Sequence, residues 1–127
     1  MKYKIIGKIL PYFKELVGLD SSITDVAVFE EGLKKHLVKQ NHKDVLIYFD
    51  KIAEIISKPD YVGINPKEKT ESMELIKRYD TNILLALKVD RKNDCYYIPT
   101  MYTVSEYKVK QRLYSGRLKK VDRLFKE

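Results

Sequence analysis

Two histidines, one strand lysine and a pair of strand hydroxyls are the side chains in this sequence best suited to moving protons and holding an anion. His36 and His42 stand six residues apart, which on one continuous helix would leave them about 120° apart, on different faces. The polar run Gln40-Asn41-His42-Lys43 predicts a helix end between them, after which both can approach one cleft. Histidine readily exchanges protons near neutral pH; the alternative is two ordinary surface histidines on a basic helix. Alternation along residues 72–79 groups Lys77 with Met73, Leu75 and Tyr79. Such a lysine is either a snorkelling edge residue or a cation held in a cleft to meet phosphate. Along residues 95–104 the same rule groups Tyr96, Ile98, Thr100, Tyr102 and Val104, unless Pro99 marks a bulge that changes the phase. Thr100 and Tyr102 then offer two neighbouring hydroxyls, or are present only because strands favour their types.

The elements that must position these groups follow from periodicity. Residues 3–10 are rich in β-branched side chains and predict a first strand, with Gly7 as a bulge position. Pro11 opens a short helix over 12–17 that Gly18 ends. Residues 23–29 read either as a strand or as the first turns of the helix predicted over 30–40. Val45, Leu46, Phe49, Ile52, Ala53 and Ile56 give a second amphipathic helix that stops before Pro59. The period then changes to that of strands, over 61–65, 72–79, 83–89 and 95–104, joined by short polar turns. A basic helix capped by Thr103 or Ser105 closes the order. Strand, helices, antiparallel meander and helix together predict an α+β domain.

The 127 residues suit one domain with a single core, and 44% apolar with 34% charged residues exclude a wholly disordered chain. The lone Cys95 excludes an internal disulfide framework and any multi-cysteine zinc site, so a reducing cytoplasm is the expected setting. No apolar run approaches the roughly 20 residues that span a bilayer, and the charged first residues lack a signal peptide's apolar segment. Of the net charge of +7, five units fall in residues 105–127, where eight basic residues face three acidic ones. Such a cluster can neutralise phosphates, and the interleaved Tyr107 and Tyr114 can stack on unpaired bases; the alternative is a solvated amphipathic helix. Pro59-Asp60 with Glu74 and Lys77 faintly suggests a metal-dependent nuclease. That site needs its acid and lysine two apart on one strand face, and these are three apart. No carboxylate, His or Cys cluster has metal-ligand spacing, and Walker, GxGxxG and GxSxG motifs are absent.

The blocks themselves form a recognisable series. A His-bearing helix is followed by Ser57-Lys58-Pro59-Asp60-Tyr61-Val62-Gly63 and Asn65-Pro66-Lys67. The strands Met73-Glu74-Leu75-Ile76-Lys77, Asn82-Ile83-Leu84-Leu85-Ala86-Leu87-Lys88 and Tyr96-Tyr97-Ile98-Pro99-Thr100-Met101-Tyr102 come next. This series resembles the phage-associated branch of the barnase–EndoU–colicin–RelE nuclease superfamily, found on phages and other mobile elements, over residues 30–120. The resemblance implies a single nuclease-like domain with an N-terminal strand, helices on a roughly four-stranded antiparallel sheet, and a C-terminal basic helix. It implies a toxin- or effector-like ribonuclease acting without metal or other cofactor. By the same resemblance His36 is general base or acid and His42 its complement, while Lys77 holds the non-bridging phosphate oxygens. Thr100, where the family often carries serine, and Tyr102 donate to phosphate or orient a histidine; Arg112, Arg117 and Lys119 position the RNA. Lys43 stands where proline is expected after the second histidine.

The expected reaction is attack of the RNA 2′-hydroxyl, giving a 2′,3′-cyclic phosphate and a free 5′-hydroxyl. An antitoxin or immunity protein is the partner such an activity implies. A catalytically inactive RNA- or protein-binding module of the same fold is the competing reading. A structural or interaction protein of a mobile element is a third.

Overall fold

A computed structural model describes residues 3–121. It contains seven strands and four α-helices, in the order β1 (Lys4–Lys8), α1 (Pro11–Leu16), β2 (Asp25–Val28), α2 (Glu30–Lys39), a 3₁₀ helix (Lys43–Lys51), α3 (Ile52–Ser57), β3 (Tyr61–Gly63), β4 (Ser72–Arg78), β5 (Asn82–Asp90), β6 (Cys95–Val104), α4 (Glu106–Ser115) and β7 (Leu118–Lys120). All seven strands form one sheet, ordered β1-β2-β6-β5-β4-β3-β7. Only the β2–β6 pair is parallel; the other five pairs are antiparallel. The α+β class is as the sequence predicts, but the sheet is mixed and larger than four strands. Residues 25–28 resolve the earlier ambiguity as a strand, and the basic stretch leaves its helix at Ser115 to return as the edge strand β7. Arg123 and Lys126 of that stretch lie outside the described residues. No helix among the described residues is long and apolar enough to cross a membrane.

Local chemistry accounts for several element ends. Glu30 and Glu31 open α2, favourably placed against its dipole. Asn41 ends it in the left-handed region at φ 60°, a conformation Asn tolerates better than most residues. Its N–H donates to the Val38 carbonyl at 3.2 Å, and the His42 N–H donates to Leu37 at 2.7 Å. This is a Schellman closure, and it turns the chain so that His42 leaves the axis that carries His36. The stretch predicted as one helix over 45–56 divides into a 3₁₀ helix and α3. Leu46, Phe49 and Ile52 repeat every three residues, which suits the tighter period as well as the α-helical one.

Burial divides the sheet faces. Met73, Leu75, Ile83, Leu85, Leu87 and Met101 face α1, α2 and α3 and form the main core with Phe13, Leu37, Ile55 and Ile56. Each such side chain contributes about 1.5–3 kcal/mol on removal from water. A one-residue slip would turn them all outward, so the register is firmly set. On the opposite face Ile76, Leu84 and Val104 pack against Val109 of α4 and Leu118 of β7. Ser105 caps α4 by accepting from the Lys108 N–H at 3.2 Å. Glu106 in its first turn accepts from Asn82 Nδ2 at 2.7 Å and pairs with Arg78, fixing the helix to the sheet. Helix α4 covers only part of this face; the remainder stays open beyond Ile76 and Leu84.

A polar cluster is buried on the core side. Lys14 Nζ donates to the Ser21 and Ile23 carbonyls, both at 2.6 Å, and lies 3.7 Å from Glu71. Glu71 also accepts from Ser21 Oγ at 2.9 Å and from the Tyr96 hydroxyl. Burial alone would raise the Glu71 pKa, but the Tyr96 and Ser21 hydrogen bonds and the Lys14 and Arg91 charges outweigh it and hold it below the usual range. A depressed folded-state pKa contributes stability above the unfolded value, and that contribution disappears as pH falls through the folded one. The melting temperature of the wild type is therefore expected to drop more steeply below pH 4.5 than that of Glu71→Gln. Parallel slopes for the two proteins between pH 7 and 3 would remove Glu71 from the acid limb.

Candidate active site

The open part of the second sheet face carries Ser72 and Glu74 from β4, Ala86 and Lys88 from β5, and Thr100 and Tyr102 from β6, in register across the strands. These residues floor a cavity of about 310 Å³, whose walls include His36 from α2 and Asn65 and Glu68 from the β3–β4 loop. His36 reaches it because β2 pairs with β6 only at Tyr96 and Tyr97. Beyond Tyr97 the edge of β6 is free of β2, and α2 packs there. Leu33 and Leu37 anchor α2 in the core, leaving His36 half-buried.

The hydroxyl pair depends on a backbone irregularity. Thr100 is opposite Ala86 and Tyr97 opposite Lys88, so two residues of β6, Ile98 and Pro99, face one of β5. This is a bulge, and it reverses the alternation. Tyr96 and Ile98 point into the main core before it; Tyr102 and Val104 point to the opposite face after it. Without the extra residue Thr100 and Tyr102 would face the helices. Proline is tolerated because this half of β6 has no second strand beside it.

His42 does not line the cavity but lies against one of its walls. Its ring is 5.9 Å from that of Tyr102, at an interplanar angle of 30°. Tyr102 thus touches His42 and also lines the cavity that His36 enters. Lys77 requires a correction. It lies on the helix side of the sheet, where its Nζ donates to the Lys58 carbonyl at 2.9 Å and sits 6.0 Å over the Tyr79 ring. Lys58 is the C-terminal cap of α3, so Lys77 supplies a cation at a helix C-terminus and is outside the cleft.

Other cations stand at the cleft or behind its Glu74. Arg117 clasps Glu74 with two bonds, Nε to Oε1 at 2.9 Å and Nη2 to Oε2 at 2.8 Å. The Glu74 side chain is only 3% exposed. Arg112 Nη1 lies 3.9 Å from the same carboxylate, buried and without a hydrogen-bond partner. Gly63 makes this arrangement possible, because a Cβ there would collide with the Arg117 carbonyl oxygen. Lys88 lines the cavity and pairs with Glu68 at 2.9 Å, a hydrogen bond that raises the Lys88 pKa. Lys119 is exposed on β7 and does not line the cavity. Among the described residues no group of three or more His, Cys, Asp or Glu is placed to hold a metal ion.

The cleft therefore unites an imidazole, two hydroxyls and an arginine-bound carboxylate on the open face of an antiparallel meander. A family model described as phage-Barnase-EndoU-ColicinE5/D-RelE like nuclease3 matches residues 4–111. The chain belongs to this family. Comparison with curated proteins and with solved structures gives no match. The match to the phage-associated nucleases takes in His36, His42, Glu74, Lys88, Thr100 and Tyr102, whereas Arg112, Arg117 and Lys119 lie past its end. In this chain, the sequence reading passed over Lys88 as a cleft residue and gave Glu74 only a rejected metal role. Alternation along β5 would have revealed Lys88, since Leu85 and Leu87 face the core and Ala86 and Lys88 do not.

Proposed function

We propose that the protein is a metal-independent endoribonuclease that uses the RNA 2′-hydroxyl as nucleophile. The observation that carries this reading is the convergence of His36, Thr100 and Tyr102 on one cavity that also contains Glu74. Internal transesterification needs a base for the 2′-hydroxyl proton, an acid for the leaving 5′-oxygen and donors to the pentavalent phosphorane. His36 takes the 2′-hydroxyl proton and, as imidazolium, returns a proton to the leaving 5′-oxygen. Thr100 and Tyr102 donate hydrogen bonds to the phosphate, and His42 packs against the Tyr102 ring. Two of the five guanidinium donors of Arg117 are bound by Glu74, and the remainder, with Lys88, attract phosphate oxygens. Lys77 has no role in this chemistry. A neutralising protein partner accompanies this reading, its acidic surface matching the basic rim.

The test is incubation of total RNA with the purified protein in excess EDTA, followed by end analysis of the fragments. The expected outcome is a set of 2′,3′-cyclic phosphate and 5′-hydroxyl ends. Salt-sensitive RNA binding with no new ends would instead support an inactive binding module.

A further inference from the structure

Beside the cleft, a second depression of about 1090 Å³ runs along α4 and meets the β3–β4 loop at Ile64 and Pro66. Tyr107, Lys110, Gln111 and Tyr114 lie at helical spacing along it. The two rings are unusual surface residues: Tyr107 is 70% exposed and Tyr114 96% exposed. Gln111 Nε2 donates to the Tyr107 hydroxyl at 3.0 Å, which steadies that ring. Seven residues separate the tyrosines, about 10.5 Å along the axis, or roughly three stacked-nucleotide rises. Lys108, Lys110, Arg112 and Arg117 line the depression, and among the described residues no acidic one does. The depression adjoins the cleft through one ion cluster, because Arg112 and Arg117 line the depression and reach Glu74, which lines the cleft.

We propose that this groove is a binding track for unpaired nucleotides beside the scissile linkage, so that the substrate is a single-stranded RNA segment of several nucleotides. Lysines and arginines would follow the phosphates while Tyr107 and Tyr114 stack on bases. An exposed ring face can meet only a base free of its own stacking partner, which selects single strands over duplex. The choice of substrate rests on the cleavage reading, whereas binding in the groove does not.

The experiment separates the two. A 12-nucleotide fluorescent oligouridylate with 2′-O-methyl groups throughout cannot be cut by 2′-hydroxyl attack, so its anisotropy reports binding alone. The double variant Tyr107→Ala/Tyr114→Ala is expected to bind it at least ~10-fold more weakly than wild type. Tyr107→Phe/Tyr114→Phe, which keeps the rings, should stay within about twofold. Cleavage of an unmodified dinucleotide, too short to reach α4, should be the same for all three proteins. Equal affinity of the alanine variant and wild type for the oligomer overturns the groove, even if the dinucleotide is cut. Preferential binding of an RNA duplex over the oligomer overturns it too. Loss of oligomer binding in the alanine variant, with no dinucleotide cleavage by any of the proteins, keeps the groove and rejects the cleavage reading.

Discussion

Replacing His36 with alanine is expected to slow RNA cleavage at least ~100-fold while leaving the fold intact, because general acid–base catalysis typically contributes 10²–10⁴-fold. The structural cost should be small. The imidazole is half-buried at the cavity wall, and α2 is held by Leu33 and Leu37 and by the closure at Asn41, none of which the substitution touches. Single-turnover cleavage of an end-labelled RNA in EDTA, beside a melting curve, separates the two effects. His42→Ala should cost less, since that ring packs against Tyr102 and does not line the cavity. Lys77→Ala serves as an internal contrast: it removes a donor to the Lys58 carbonyl at the end of α3 and should lower the melting temperature without a large change in rate. A His36→Ala protein that cuts at the wild-type rate rejects the proton-transfer role, and with it the reading of the cleft.

The sequence carried some of this arrangement and concealed the rest for physical reasons. The helix end between the two histidines was legible because Gln40-Asn41 is a polar break, and the observed φ of Asn41 explains why the chain turns there. The same-face grouping along β4 was legible as well, because the period of two is strict wherever one face packs against helices. Lys77 was misassigned against that signal: its own strand grouped it with Met73 and Leu75, and those residues face the helices. Thr100 and Tyr102 depended on whether Pro99 bulged the strand, a question alternation alone leaves open. The pairing of β2 with β6, which frees the second half of β6 for α2, joins residues about 70 positions apart and leaves no local pattern. The same holds for β7, whose three residues are too few for a periodic signal. The pairing of Glu74 with Arg117 left no local signal because the two are 43 residues apart.

That pair gives the second large expectation, in stability as well as binding. Arg117→Ala would leave the Glu74 carboxylate in a nearly closed site with Arg112 Nη1, 3.9 Å away, as its remaining cation. Removing one member of a buried ion pair typically costs 3–5 kcal/mol, because the surviving charge loses its compensation without regaining water. With Arg112 nearby, about 3 kcal/mol is expected, a fall of roughly 10 °C in melting temperature for a domain of this size. The two-pronged geometry matters beyond charge, so Arg117→Lys should recover only part of the loss: an ammonium cannot reproduce the parallel bonds of the guanidinium. Adding Glu74→Gln to Arg117→Ala removes the stranded charge and should restore at least half of the lost stability. It should not restore RNA affinity, because the cation beside the cleft is still missing. Thermal melts and salt-dependent anisotropy on the four proteins therefore separate two roles for one arginine, a clamp on Glu74 and a phosphate contact. If the double variant regained both stability and RNA binding, Arg117 would act only by neutralising Glu74, and the positive rim of the cleft would have to come from Lys88 and the α4 lysines alone.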